Sequence, residues 1–127
     1  MFLIGGIGVT PVRSMIAQAT HDKTDHRLLL IHANSTPGDA PFSEEFTRLE
    51  AENPRFRYIP TVSSPPADWQ GETGHIDEAM VRRYVEDLNA PIYYLSGPSG
   101  MVQAMRSMLV SAHVNEDNIR TEEFAGY

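Results

Sequence analysis

Apolar positions in this chain follow two rhythms that alternate from one end to the other. Phe2-Leu3-Ile4 is a short continuous run. Val12, Met15, Ile16 and Ala19 then recur at three- and four-residue spacing, which predicts a helix over residues 11–21. From Arg27 to Ala33 the chain is again continuously apolar and of strand length, the pattern of a strand covered on both faces. Phe42, Phe46 and Leu49 mark a second helix that ends before Pro54, and Phe56–Val62 reads as a third strand. Met80, Val81, Tyr84, Val85 and Leu88 give a third helix with Asp77 as its cap, followed by a fourth strand at Ile92–Leu95. A last helical stripe runs through Met101, Ala104, Met105, Met108, Leu109 and Ala112, and Ile119–Phe124 is a final strand.

Five strands with intervening helices predict an α/β fold: an open five-stranded parallel sheet in three layers, with helices on both faces and right-handed crossovers. In such sheets ligands bind beyond the carboxyl ends of the strands, where strand order reverses. Two glycine turns fall at strand carboxyl ends, Gly5-Gly6-Ile7-Gly8 and Ser96-Gly97-Pro98-Ser99-Gly100. If the first and fourth strands are neighbours, both turns flank that point. Gly5, Gly6 and Gly8 let a ligand approach the backbone closely. Thr10 is expected to cap the following helix with its hydroxyl, and Pro11 suits the first helical position. Unpaired N–H groups and the positive end of the helix dipole then favour a phosphate.

Composition narrows the partners. The chain has 127 residues, enough for one domain with a real core, with 41% hydrophobic and 21% charged positions and no repeat or linker. It has no cysteine, so disulfides and thiolate metal sites are excluded, and its net charge of −7 argues against nucleic acid or an anionic membrane as the main partner. No apolar run nears the ~20 residues of a bilayer span and no signal-peptide pattern opens the sequence, so the expectation is a cytoplasmic protein. The five histidines show no HxxxH pair, and no metal site is expected. No serine sits in a G-x-S-x-G elbow. Arg82-Arg83-Tyr84-Val85 lacks the hydroxyl of a flavin-binding Arg-x-Tyr-Ser/Thr motif and falls on a predicted helix.

Gly5-Gly-Ile-Gly-Val-Thr-Pro11, Ser96-Gly-Pro-Ser-Gly-Met101 and Glu122-Glu-Phe-Ala-Gly-Tyr127 together resemble the pyridine-nucleotide domain of the ferredoxin–NADP reductase superfamily. The resemblance covers the whole chain. It implies a Rossmann-like sheet of order 3-2-1-4-5 that holds NAD(P)H and hands a hydride to a flavin, FAD or FMN, on a preceding β-barrel domain. By the same resemblance Gly6, Gly8, Val9, Thr10 and Pro11 receive the pyrophosphate and the nicotinamide side of the cofactor. Gly97, Pro98 and Met101 form the facing wall. Ser96 stands where the family usually has cysteine beside the site of hydride transfer. Glu123 and Phe124 match an acidic-x-aromatic strand near the flavin, with Tyr127 placed to approach it. Ser96 and Glu123 are thus the expected catalytic positions.

Cofactor choice rests on two loops. Asn34-Ser35-Thr36 and then Asp39 follow the second strand, and in NADH-dependent relatives an aspartate is similarly placed. A carboxylate can bond a ribose diol and repels a 2′-phosphate. After the third strand, in Thr61-Val62-Ser63-Ser64, Ser64 stands where NADP-dependent relatives often carry arginine, so the bidentate phosphate partner is missing, and Ser63 is expected to contact the cofactor. NADH is expected over NADPH. Asp39 is equally well read as a turn residue, and the lone Trp69, in Trp69–His75, as a packing residue.

No flavin barrel is encoded in residues 1–127, so the expectation is one pyridine-nucleotide domain working with a flavin domain in cis or in trans and an electron acceptor protein of unassigned identity. A different reading stays open: a nucleotide-binding or assembly module that performs no catalysis. A third is another doubly wound nucleotide enzyme, because fold does not fix chemistry.

Overall fold

The computed structural model describes residues 1–124. In chain order these are β1 (Phe2–Gly5), a 3-10 turn (Gly6–Val9), α1 (Thr10–His21), β2 (Leu28–Asn34), a 3-10 turn (Pro37–Asp39), α2 (Ser43–Glu52), β3 (Phe56–Val62), β4 (Glu72–Thr73), α3 (Glu78–Arg82), β5 (Tyr93–Pro98), α4 (Ser99–Ser111), a 3-10 turn (Glu116–Asn118) and β6 (Ile119–Phe124). Every strand pair is parallel, and the sheet runs β4-β3-β2-β1-β5-β6.

The five expected strands hold the expected order, and β1 lies between β2 and β5. The correction is a sixth strand. Glu72 and Thr73 pair with Thr61 and Val62 at the edge, and the Thr61 hydroxyl donates to the Gly74 carbonyl at 2.9 Å. Two residues flanked by glycines carry no periodicity, so this strand exists only because β3 offers an edge to it. Trp69 holds the approach to it, donating its indole N–H to the Glu72 carbonyl at 2.9 Å.

Strand alternation separates two cores. Phe2, Ile4, Leu30 and Phe56 face Val12 and Ile16 of α1 and Phe46 and Leu49 of α2. Leu3, Ile31, Ile59, Tyr93 and Leu95 face Met80 and Val81 of α3 and Val102, Met105 and Leu109 of α4. Neighbouring residues of one strand thus feed opposite cores, which is why β1 and β2 read as unbroken apolar runs. Each fully buried aliphatic side chain contributes about 1.5–3 kcal/mol.

Two further expectations are revised. The third helix is five residues long. Asp77 does cap it, accepting the Met80 N–H at 2.8 Å, but the Arg83 N–H reaches both the Ala79 and Met80 carbonyls as the helix ends. Asp87 then takes the Asn89 N–H at 2.9 Å. This local side-chain bond competes with a helical ladder. Leu88 still reaches the core from the turn. The fourth strand also begins at Tyr93 rather than Ile92 and runs on to Pro98, because Gly97 and Pro98 pair with Glu123 and Phe124 of β6.

Gly97 has φ +152°, and a Cβ there would lie 3.2 Å from the Gly5 nitrogen. Gly100, in α4, has open space around it. Gly97→Ala is therefore expected to lower unfolding stability by about 1–3 kcal/mol. Gly100→Ala should leave it unchanged or raise it by up to about 1 kcal/mol. Urea denaturation of both variants beside wild type checks the contrast.

Candidate functional site

The carboxyl ends of β1 and β5 meet through their glycines. At Gly8 a Cβ would lie 2.9 Å from Ser96 Oγ and 3.1 Å from the Gly97 nitrogen. Its bare Cα therefore admits the end of β5 and does not face outward. Gly5 is covered by the Met101 thioether of α4 and by Pro98. The two glycine turns, Pro98 and Met101 thus form one continuous structure. Gly6, with φ +53°, bends the chain from β1 into the 3-10 turn, and Ile7 at its tip is 60% exposed.

The turn runs straight into α1, which changes the expected cap. Thr10 is the first helical residue, Val9 precedes it without a side-chain cap, and the Thr10 hydroxyl donates to the Ile7 carbonyl at 3.0 Å. With a turn of helix already in front of it, the N–H that a cap would satisfy is supplied with a backbone acceptor: Thr10 N–H bonds the Ile7 carbonyl. Pro11 is second in the helix, where its missing N–H still costs nothing. Val9 is fully buried in the core, so only its backbone can meet a ligand, whereas Thr10 and Pro11 are exposed.

Two buried polar atoms at this end of the sheet have no hydrogen-bond partner among the described residues: Asn34 Nδ2 at the end of β2 and Ser96 Oγ at the end of β5. Orphaned groups of this kind are costly inside a protein and call for a partner. Asp39 is exposed and accepts the Thr36 hydroxyl at 2.9 Å, closing its own turn with one oxygen. Ser63 and Ser64 are exposed, while their N–H groups are taken by the Asn34 and Ser35 carbonyls at 3.1 and 2.8 Å. Asn34 and Ser63 are therefore neighbours.

Register separates the two expected catalytic side chains. Ser96 pairs with Glu122 and Gly97 with Glu123, so Ser96 and Glu123 leave the sheet on opposite faces. Glu122 accepts the Tyr94 hydroxyl on the face of Ser96. Burial, then this carboxylate, push the pKa of the Tyr94 hydroxyl up to about 12. Phe124 is placed by its backbone pairing with Pro98, and Tyr127 lies outside the described residues.

One residue here was missed by sequence reasoning. His32, in the middle of β2, is fully buried, and its Nε2 lies 2.8 Å from the Gly6 carbonyl. A carbonyl only accepts, so Nε2 carries the proton. Burial pulls the imidazole below its ordinary value of 6.5, partly offset by this bond. The available signal was a polar ring inside an otherwise apolar strand, one register position across from Ile4.

Two concavities among the described residues lie elsewhere. One, of about 560 Å³, is lined by Thr20, Asn53 and Arg55, and one of about 1000 Å³ by Arg27, Arg57 and Tyr84. Both sit toward the amino ends of the strands.

An open parallel sheet with a glycine turn leading into a helix at the central strand defines a nucleotide-binding α/β domain. Comparison with known proteins agrees: the family described as the oxidoreductase NAD-binding domain matches residues 2–107. The chain belongs to this family. It is 35% identical to a Na(+)-translocating NADH-quinone reductase subunit of Methylococcus capsulatus, over 99% of this chain and 32% of that protein. The cytochrome b5 reductase domain of Ulva prolifera nitrate reductase superposes with a TM-score of 0.85 at 25% identity, over 95% of this chain and 48% of that one. A flavohemoglobin from Malassezia yamatoensis with bound FAD and heme gives 0.83 at 27% identity, over 98% and 31%. The chain thus spans about a third to a half of the proteins it is similar to. No helix of the described residues is long and apolar enough to cross a membrane.

The residues fit the cofactor that the family name implies. Gly6 and Ile7 bring backbone to the surface at a helix start, and Asn34 and Ser96 bring orphaned polar atoms beside it.

The depressed His32 has a pH signature. The fold favours the neutral ring, while the unfolded chain takes up a proton at its ordinary value, so stability should fall as pH drops below 6.5. Thermal melts from about pH 7.5 to about 5.5 should show a steeper loss for wild type than for His32→Phe, which carries no proton.

Proposed function

We propose that the chain binds NADH across the carboxyl ends of its strands and presents the nicotinamide to a flavin on another domain, from which electrons pass to an acceptor protein. The observation that carries this reading is the meeting of the two glycine turns at β1 and β5, with orphaned polar atoms of Asn34 and Ser96 beside them. The bound cofactor supplies the hydride. Residues of this chain bind and orient it: the Gly6–Pro11 turn receives the diphosphate, and Asn34, Asp39 and Ser63 line the adenosine side. Gly97, Pro98 and Met101 support the nicotinamide side. Ser96 and Glu123, with Phe124, flank the contact with the flavin and act by position and charge. A flavin domain as partner is supported by the relatives, one of which is named with bound FAD and extends well beyond this chain, which matches 31% of it. In this reading residues 1–127 are one nucleotide domain in the cytoplasm, with neither nucleic acid nor membrane as a direct partner.

Calorimetric titration of the chain should show NADH binding, with NADH preferred over NADPH by about tenfold, ~1.4 kcal/mol. Asp39→Ser with Ser64→Arg should move the preference toward NADPH by removing a repulsion and adding a phosphate partner. A wild-type preference for NADPH would refute the specificity argument, and absence of binding to either would refute the nucleotide reading.

With a flavin domain supplied, Glu123→Ala and Ser96→Ala should slow flavin reduction in stopped flow and leave nucleotide affinity nearly intact. Unchanged reduction rates in both variants would make these residues structural.

A further inference from the structure

We propose that His32 is a positioning residue for the nucleotide turn, holding the Gly6–Ile7 peptide in the one orientation that aims the Ile7 N–H outward at the diphosphate. This inference rests on the nucleotide reading above. The geometry is that of a trans peptide, in which C=O and the following N–H point in opposite directions. The Gly6 carbonyl is drawn inward onto His32 Nε2 at 2.8 Å. The Ile7 N–H therefore leaves on the side opposite the His32 ring, in a turn whose tip, Ile7, is exposed.

Gly6 needs this restraint. Its φ of +53° is open to glycine, and the 3-10 turn beginning there and the His32 bond together hold a peptide that, flipped, would offer a carbonyl oxygen to a phosphate. The restraint is itself rigid. His32 is fixed by its strand and by the Phe46 ring of α2, edge-on at 6.3 Å, and the Tyr58 ring of β3 at 6.5 Å. Phe46 and Tyr58 stack on each other at 5.2 Å. Three elements behind the turn thus fix one peptide in front of it. Burial keeps the imidazole neutral, with its single proton on the nitrogen facing Gly6. The other nitrogen, Nδ1, has no partner among the described residues, so the ring's one strong bond is to the turn.

The test compares wild type with His32→Phe, which fills the aromatic site without a donor, and His32→Gln, which restores an N–H of similar reach. His32→Leu replaces the phenylalanine variant if that does not fold. In the free proteins, NMR should show the Gly6 carbonyl carbon and Ile7 amide resonances displaced in His32→Phe and returned toward wild type in His32→Gln. In titrations, His32→Phe should bind NADH and ADP-ribose about tenfold more weakly, the worth of one ordinary hydrogen bond, with His32→Gln near wild type. Unchanged Gly6 and Ile7 resonances in the donor-free variant overturn the inference whether or not nucleotide binds. Displaced resonances with unchanged affinity also overturn it, because the peptide would then not serve the ligand. Wild type failing to bind NADH, with the resonances displaced as expected, removes the nucleotide reading and with it the role of the peptide in binding.

Discussion

The carboxyl edge of this sheet depends on a backbone-to-backbone contact between the ends of β1 and β5. Gly5, Gly8 and Gly97 touch with no side chain between them, and a Cβ at Gly8 or Gly97 would press on the opposite strand at about 3 Å. Close approach of two chains is possible only where both lack a Cβ. This contact draws the starts of α1 and α4 to one point, and places the orphaned Ser96 Oγ against the turn. Without it the two turns would be separate loops at neighbouring strand ends.

That contact also redistributes the roles of the glycines. A glycine-rich turn before a helix invites the reading that each missing side chain makes room for a phosphate. Here Gly8 makes room for protein, and Gly6 and Ile7 carry the turn outward. The chemistry of the site then lies in peptide orientation, which is governed from behind. His32 reaches up from β2 to one carbonyl, and Phe46 and Tyr58 hold His32. The electrostatic sign of the turn, N–H outward or C=O outward, is thereby set by a buried side chain 26 positions along the chain from Gly6.

Away from the glycines the edge is uneven. Asn34 and Ser63 come together because β3 continues hydrogen bonding past its last strand residue, onto the Asn34 and Ser35 carbonyls. Asp39 closes its own turn by accepting the Thr36 hydroxyl with one oxygen. Ser96 and Glu122 share a face, while Glu123 stands beside Gly97 on the other. A strand's alternation permits no other arrangement once register is fixed.

The sequence by itself determined the elements whose signal is local. Continuous apolar runs at Phe2–Ile4 and Leu28–Ile31 meant strands covered twice, because neighbouring residues must serve opposite cores. Stripes such as Val12/Ile16 and Met105/Leu109 meant helices with one buried face, and Asp77 announced its helix by a bond that spans three residues. The glycine motifs fell at strand carboxyl ends, and their spacing carried the family. Tertiary structure alone decided what depends on partners distant in sequence. Strand β4 exists because β3 has a free edge. The third helix stops after Arg82, where the following N–H groups bend into three-residue turns. Thr10 loses its capping role because a 3-10 turn already precedes it. His32 is indistinguishable from a spare polar residue until β2 lies beside β1 and its ring meets the Gly6 carbonyl. Periodicity reports which face a residue occupies, and only packing reports what waits for it there.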